Sequence, residues 1–388
     1  MRIVSKLLVA ATAAAAITAM VASPALADPP TGVTPKPKDV IGVGSDTTES
    51  VFNQLSVDYN KTHTTGKLYS FDATPQPSTI QTKSGSTNCS IPRPFGSSAG
   101  IMALENTKTT TGGSPCIDYA RSSRARGSGD PATISFINLA GDAVTVATQP
   151  GSNAPANLLT TAVLTGIYNC SITTWNEIPG NSGGSTATIA AMLPQNGSGT
   201  RSFFLGAIGL TAPGGCVSTS STVQGAGGNG ANTLEENEGV DPSLNTNTAN
   251  VIFPFSVGKW IAERWHSASC GTVANCFAHP TSCTPNATQN KFGCNTHGTM
   301  LLRSINGTAP TTGTGGQTVI NSAFTPTFSR ILFVVVNAAQ GTIPANLKKY
   351  FGPTGFTCTS TKAKSHLKKY GFLPLPNGSG PGHCGFAQ

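Results

Sequence analysis

Apolar residues in this chain fall into short blocks separated by long polar stretches, and the blocks alternate between two spacings. Asp39 to Val43 is a short run of buried-strand type. It leads into Gly44-Ser45-Asp46-Thr47-Thr48-Glu49, after which Val51, Phe52, Leu55 and Tyr59 recur at helical spacing. Asp46 and Glu49, three residues apart, match a capping box, so a strand is predicted to feed a helix N-terminus there. The same event recurs twice. Phe95-Gly96-Ser97-Ser98-Ala99-Gly100 leads into Ile101, Met102 and Leu104, and Gly197-Ser198-Gly199-Thr200-Arg201 leads into Phe203, Phe204, Leu205 and Ile208. Ile134 to Ala147 reads as a strand, and Leu158 to Tyr168 as a helix with Val163, Leu164 and Ile167 on one face. Arg330 to Asn337 is the clearest buried strand. Residues 214–234 and 307–318 are Gly/Thr/Ser-rich loops. Strands alternating with helices argue for α/β architecture.

The N-terminus changes the picture of where this chain works. Arg2 and Lys6 precede an apolar, alanine-rich run from Leu7 to Val21, and Ala25-Leu26-Ala27 supplies small residues for a peptidase. Residues 1–27 therefore read as a signal peptide and Asp28 as the first mature residue of a secreted, extracellular protein. The run is too short for a good membrane span. No cysteine stands at the cleavage site, so no lipid anchor is expected. Residues 28–39, with proline and lysine and no periodicity, read as a linker. The remaining length exceeds what one core usually organises, so two lobes are expected.

Charge is sparse, at 10% of residues, but a hydrophobic share of 38% argues against disorder. The formal net charge is +8, and removing Arg2 and Lys6 leaves +6. That balance suits an anionic ligand or an anionic cell wall and is too scattered to argue for nucleic acid. The cysteines are Cys89, Cys116, Cys170, Cys216, Cys270, Cys276, Cys283, Cys294, Cys358 and Cys384. An even number in an exported chain predicts disulfides, with Cys89–Cys116 and Cys358–Cys384 as the simplest sequence-near pairs. Cys270, Cys276, Cys283 and Cys294 interleave with His279 and His297, which invites a zinc reading. An oxidising compartment and the lack of a tight Cys-x-x-Cys pair argue against it, so no metal and no cofactor are expected.

Three small-residue turns, each opening a helix, carry the candidate chemistry. A helix N-terminus exposes unpaired N–H groups and the positive end of the dipole, which suits an anion. Glycine lets the backbone approach, and Ser or Thr adds a hydroxyl donor. Each turn alone is also explained by ordinary N-capping. Arg201, one residue inside a helix start, opposes the dipole unless an anion sits there.

In this setting Asn196-Gly-Ser-Gly-Thr-Arg201-Ser-Phe-Phe resembles the phosphate-clamping loop of the phosphate-binding components of ABC importers. Leu164 to Asn176, with Trp175, resembles a segment of that family's second lobe. Gly42-Val-Gly-Ser-Asp-Thr-Thr resembles its first ligand loop, Gly96-Ser97-Ser98-Ala-Gly its second, and Ile117-Asp-Tyr-Ala-Arg121-Ser122-Ser123-Arg124 its third. Gly371-Phe372 also fits, so the resemblance covers most of residues 40–375 in order. It implies an α/β, two-lobed, type II periplasmic-binding-protein-like fold with a central ligand cleft and hinge crossover strands. Lobe one would be 38–140 plus 328–388 and lobe two 141–327. Ligand contacts would fall to Asp46, Thr47, Ser97, Ser123, Ser198, Gly199 and Thr200, with Arg201 beside them. The implied protein is no enzyme: a monomer that binds phosphate or a similar oxyanion for uptake or scavenging, and that serves an ABC permease or meets an anionic cell wall.

Two departures stand out. The family commonly has an aspartate near Ser123 to accept the proton of hydrogen phosphate, which leaves Asp46 as the acceptor here or else a preference for sulfate or another oxyanion. Leu193 and Pro194 stand where an arginine precedes the family's Gly-Ser-Gly loop. Two rivals remain. A secreted serine hydrolase would use the Gly96-Ser97-Ser98-Ala99-Gly100 elbow with Asp241 and His266 or His297, but the run before it lacks a strong strand. A surface interaction protein on the same fold would use Lys348, Lys349, Lys362, Lys364, Lys368 and Lys369, whose simpler explanation is a solvated helix face.

Overall fold

The computed structural model describes residues 28–30, 32–73, 78–221, 233–265 and 296–388. Residues 1–27, read above as a signal peptide, lie outside the described residues, as do His266, His279 and the group Cys270, Cys276, Cys283 and Cys294.

One mixed sheet runs through the molecule. Its strands follow the order Leu68–Ser70, Val40–Gly44, Tyr119–Ser122, Ser329–Asn337, Ile134–Thr148, Val251–Ser256 and Ala190–Ala191. The first three are parallel. Ser329–Asn337 is antiparallel to both its neighbours, and Ile134–Thr148 is antiparallel to Val251–Ser256. The parallel pairs are joined through helices, as the alternating pattern implies.

Ile134–Thr148 is buried along its whole length, which explains why its sequence lacks a polar face. Its first half packs into two adjoining cores through Ile134, Phe136, Ile137, Leu139 and Ala140. Its second half, Ala143, Val144, Val146 and Ala147, belongs to a separate core with Tyr168, Trp175, Phe204 and Phe253. Two lobes thus share one strand, and Ser329–Asn337 runs beside it from Ala143 to Ile134 with one register shift between Leu332 and Phe333. This is the two-lobed α/β fold expected of the sequence.

The helical periodicities hold. Glu49–Thr62 buries Val51, Phe52, Leu55 and Tyr59, and Thr161–Tyr168 buries Val163, Leu164 and Ile167. The boundaries shift where a side chain caps the helix. Thr160 accepts from Val163 N at 3.2 Å, so the helix begins at Thr161 and not at Leu158.

The capping box at Asp46 and Glu49 does not form. Ser45 caps the short 3-10 helix Asp46–Thr48 by accepting from Thr47 N, and Glu49 Oε2 accepts instead from Ala73 N at 3.0 Å. Residues 28–39 also differ from a free tether. Asp28 pairs with Arg93 at 2.6 Å, and Pro35 is buried with its carbonyl accepting from Ser84 N. The disulfides Cys89–Cys116, Cys170–Cys216 and Cys358–Cys384 fasten three sequence-near loops. Among the described residues no helix is long and apolar enough to cross a membrane.

Candidate functional site

The strands Val40–Gly44 and Tyr119–Ser122 are parallel neighbours, so the loops that follow them open on the same edge of the sheet. The first loop supplies Ser45, Asp46 and Thr47, and the second supplies Ser123. The start of the helix Gly96–Glu105 brings Ser97 beside them: its hydroxyl accepts from Ser123 N at 3.0 Å and lies 3.1 Å from Ser123 Oγ. Arg121 fixes the first loop from below, donating to the Ser45 and Gly44 carbonyls at 2.9 Å each and to Ser70 Oγ. All of these residues are buried.

The other lobe contributes the helix Gly199–Ala207. Ser198 is its N-cap, accepting from Arg201 N at 3.0 Å. Gly199 has no room for a side chain, because an added Cβ would run into the hydroxyls of Ser123 and Ser97. The two lobes therefore meet backbone against hydroxyl at this point.

The hydroxyls converge on one anionic group, the carboxylate of Glu236. Its Oε1 accepts from Ser45 Oγ at 2.9 Å, Thr47 Oγ1 at 3.1 Å and Ser123 Oγ at 3.4 Å. Its Oε2 accepts from Thr200 N at 2.8 Å and from Ser198 Oγ. Five donors from both lobes thus enclose two oxygens, the number and type of contacts an oxyanion needs.

Arg330 supplies the positive charge. Nε donates to Asp142 Oδ2 at 2.9 Å, Nη1 to the Ser123 carbonyl at 3.0 Å and Nη2 to Thr200 Oγ1 at 3.1 Å, while the guanidinium lies over the Phe203 ring. Asp142 is completed by Ser256 Oγ and Gly258 N. The arginine is anchored by its acid on one side and joined to both lobes' loops on the other.

Three carboxylates crowd this point: Asp46, Glu235 and Glu236 each have an oxygen within 4.8 Å of the others. Burial, and then the charges of Glu236 and its neighbours, push Asp46 and Glu235 well above the usual carboxylate range. Burial pushes Glu236 up too. Hydrogen bonds from Asp46 and Ser198, the charge of Arg330 and the Thr200 N–H outweigh it and hold Glu236 at about 2. Of these acids Glu236 is the one whose negative charge is favoured, while the charged form of Asp46 is disfavoured beside it.

Of the residues singled out in the sequence, Asp46, Thr47, Ser97, Ser123, Ser198, Gly199 and Thr200 come together here. Arg201 does not join them through its guanidinium, which turns back to donate to the Pro194 carbonyl at 2.9 Å. Arg124 forms a bidentate pair with Asp130 at 2.6 and 2.8 Å. Sequence reasoning misses Ser45, Asp142, Glu236 and Arg330. Two signals point to two of these: Arg330 is the charged residue opening an otherwise apolar buried strand, and Glu235-Glu236-Asn237-Glu238 concentrates acid in a chain poor in charge. The elbow reading finds no support among the described contacts. Ser98 Oγ accepts weakly from Arg124, and Asp241 caps the turn Pro242–Asn245, so neither forms a nucleophile–base pair.

The family model described as PBP superfamily domain matches residues 29–251. A solved structure from Clostridium perfringens, described as a putative phosphate ABC transporter substrate-binding protein with bound phosphate, aligns over 87% of this chain and 99% of its own, at 15% identity and a TM-score of 0.50. A Vibrio cholerae structure described as an ABC-type phosphate transport receptor aligns over 86% and 99%, at 18% identity and a TM-score of 0.48. No curated protein matches the sequence.

Proposed function

The chain belongs to the PBP superfamily, and from that footing we propose that it is an exported solute-binding protein whose ligand is inorganic phosphate. The observation that carries this reading is the cradle itself. Hydroxyls from Ser45, Thr47, Ser123 and Ser198, the Thr200 N–H and the Arg330 charge already surround an anionic oxygen pair at the meeting of two lobes. Lobe one, 38–140 plus 328–388, supplies Asp46, Thr47, Ser97 and Ser123, and lobe two, 141–327, supplies Ser198, Gly199 and Thr200. Arg201 acts through its backbone N–H, which ties down Ser198, and Arg330 brings the positive charge that the sequence pattern assigns to Arg201.

Asp46 decides between phosphate and sulfate. In its ionised form the Asp46 carboxylate accepts the proton that hydrogen phosphate brings, whereas sulfate brings only lone pairs that it repels. Cleavage after Ala27 leaves Asp28 as the first residue, already held by Arg93. The ligand is handed to an ABC permease, as the description of the Clostridium perfringens protein suggests.

Calorimetric titration of the mature protein tests this. Phosphate binds, a neutral sugar does not, and sulfate binds at least about tenfold more weakly than phosphate. Thr200→Pro, which removes the N–H at the cradle, and Ser198→Ala each weaken phosphate by about tenfold or more. Arg201→Ala changes it by less than about threefold, because its guanidinium is committed to Pro194. Asp46→Asn narrows the phosphate-over-sulfate gap. A protein that binds neither anion contradicts the reading.

A further inference from the structure

The cradle holds a carboxylate belonging to the chain itself, and its geometry is that of a bound ligand. Glu236 is fully buried and satisfied on both oxygens by donors from sequence positions far apart: Ser45, Thr47 and Ser123 from one lobe, Ser198 and Thr200 from the other. These are the same donors that the proposed function assigns to phosphate. A second anion cannot use them while Glu236 does. The hydroxyl protons are already directed at its oxygens, and two anions side by side in a buried site repel strongly.

The segment that carries Glu236 is fastened to both lobes. Asn237 Nδ2 donates to Asp46 Oδ2 at 3.3 Å and to Thr47 Oγ1 at 3.2 Å, and its Oδ1 accepts from Ser256 N at 3.0 Å. On the other side of Glu236, Leu234 bonds through its backbone to Thr219 and Gln195. Glu236 therefore does what a ligand does in a two-lobed binder: it ties the loops of one lobe to the helix start of the other.

We infer that Glu236 is a tethered competitor: phosphate enters only by displacing its carboxylate, which closes the cleft in the ligand-free protein and sets the affinity of the site. This rests on the proposed function, since it concerns the same donors. Its arithmetic is that of a site whose binding-competent state is only partly populated. The observed dissociation constant is the intrinsic one divided by the fraction of molecules with Glu236 out of the cradle. Removing the competitor raises affinity, the reverse of removing a residue that contacts the ligand.

The test is phosphate titration of the full mature chain beside Glu236→Ala and Glu236→Gln, with thermal melting of each as a control for folding. Glu236→Ala is expected to bind phosphate about tenfold or more tighter than the natural chain. Glu236→Gln is expected to bind tighter too, since its amide keeps the shape and loses the charge. Without anion, Glu236→Ala melts lower than the natural chain, and millimolar formate, a free carboxylate, raises its melting point and competes with phosphate. Small-angle scattering is expected to show the natural chain equally compact with and without phosphate, and Glu236→Ala compacting only when phosphate is added. Phosphate binding that is unchanged or weaker in both variants, with folding intact, overturns the tethered competitor and leaves the phosphate site standing. Failure of all three proteins to bind phosphate overturns the proposed function itself. If Glu236→Ala fails to fold, Glu236→Gln and the formate competition against it decide.

Discussion

Replacing Arg330 with methionine is expected to weaken phosphate binding at least about 100-fold and to destabilise the fold by about 3–5 kcal/mol. Two separate effects combine. The guanidinium is the cation that reaches the cradle, through Thr200 Oγ1 and the Ser123 carbonyl. It is also the partner of Asp142, whose side chain is fully buried and pairs with it at 2.8 Å. Removing the arginine strands a carboxylate in the interior, and that stranded charge, more than the lost attraction, sets the stability cost. Combining Arg330→Met with Asp142→Asn separates the two. The double variant regains most of the stability, because the neutral amide oxygen still accepts from Ser256 Oγ or Gly258 N, but it regains little of the binding. Chemical denaturation and calorimetry on the single and double variants make the comparison. Equal recovery of both properties would mean that Arg330 acts on phosphate only by holding the fold.

The second large effect concerns pH. Lys259 stands among the acids Glu263, Glu49, Asp46 and Glu238, which outnumber it. Burial raises Glu263 from 4.5 to about 7, against the opposing pull of Lys259 and Thr296. In the folded protein this group keeps its proton at pH values where the unfolded chain has lost it. Its stabilising contribution is complete below about pH 4.5 and is lost as pH rises towards 7, an effect of about 3 kcal/mol. Asp46, Glu235 and Glu238 are raised by burial and by neighbouring negative charge, and they act in the same direction. Glu236 acts oppositely: held at about 2, it stabilises above pH 4.5 and its contribution falls away as pH drops towards 2. His297, which burial lowers from 6.5 to about 4, adds stability as pH rises between those values and opposes the raised acids there. The melting temperature is therefore expected to fall chiefly between about pH 6.5 and 8. Glu263→Gln flattens the upper part of that profile. A melting temperature that is level or rises between about pH 6.5 and 8 would show that these acids are ionised in the fold.

How much of this was legible in the sequence follows from the range of each interaction. The helix Glu49–Thr62 and the strand Ile134–Thr148 are both written locally, because burial on one face leaves a periodic trace and burial on both leaves a run without a polar face. The three small-residue turns are legible for the same reason: their glycines and hydroxyls answer local backbone needs. Ser198 shows the limit. It is an ordinary N-cap, accepting from Arg201 N, and it also donates to Glu236, so both readings of one residue hold at once. Arg201 misleads because the helix dipole argument assumes that its charge stays at the helix end, whereas a long side chain can turn away to the Pro194 carbonyl. Glu236 meets Thr47 across 189 positions, and Arg330 meets Thr200 across 130. No local spacing encodes such contacts. What the sequence retains of them is only an imbalance: an acidic run amid uncharged loops, and one arginine at the head of an apolar strand.

Arsenate, a tetrahedral analogue of phosphate, has an anomalous X-ray signal that locates it without reference to any assumed pose. Crystals of the mature protein grown with arsenate are expected to show one strong anomalous peak within hydrogen-bonding distance of Ser45, Thr47, Ser123, Ser198 and Thr200 N, with Arg330 alongside and the Glu236 carboxylate moved out of the cradle. Arsenate bound elsewhere, with Glu236 still held by those five donors, would contradict the assignment of this cradle as the anion site.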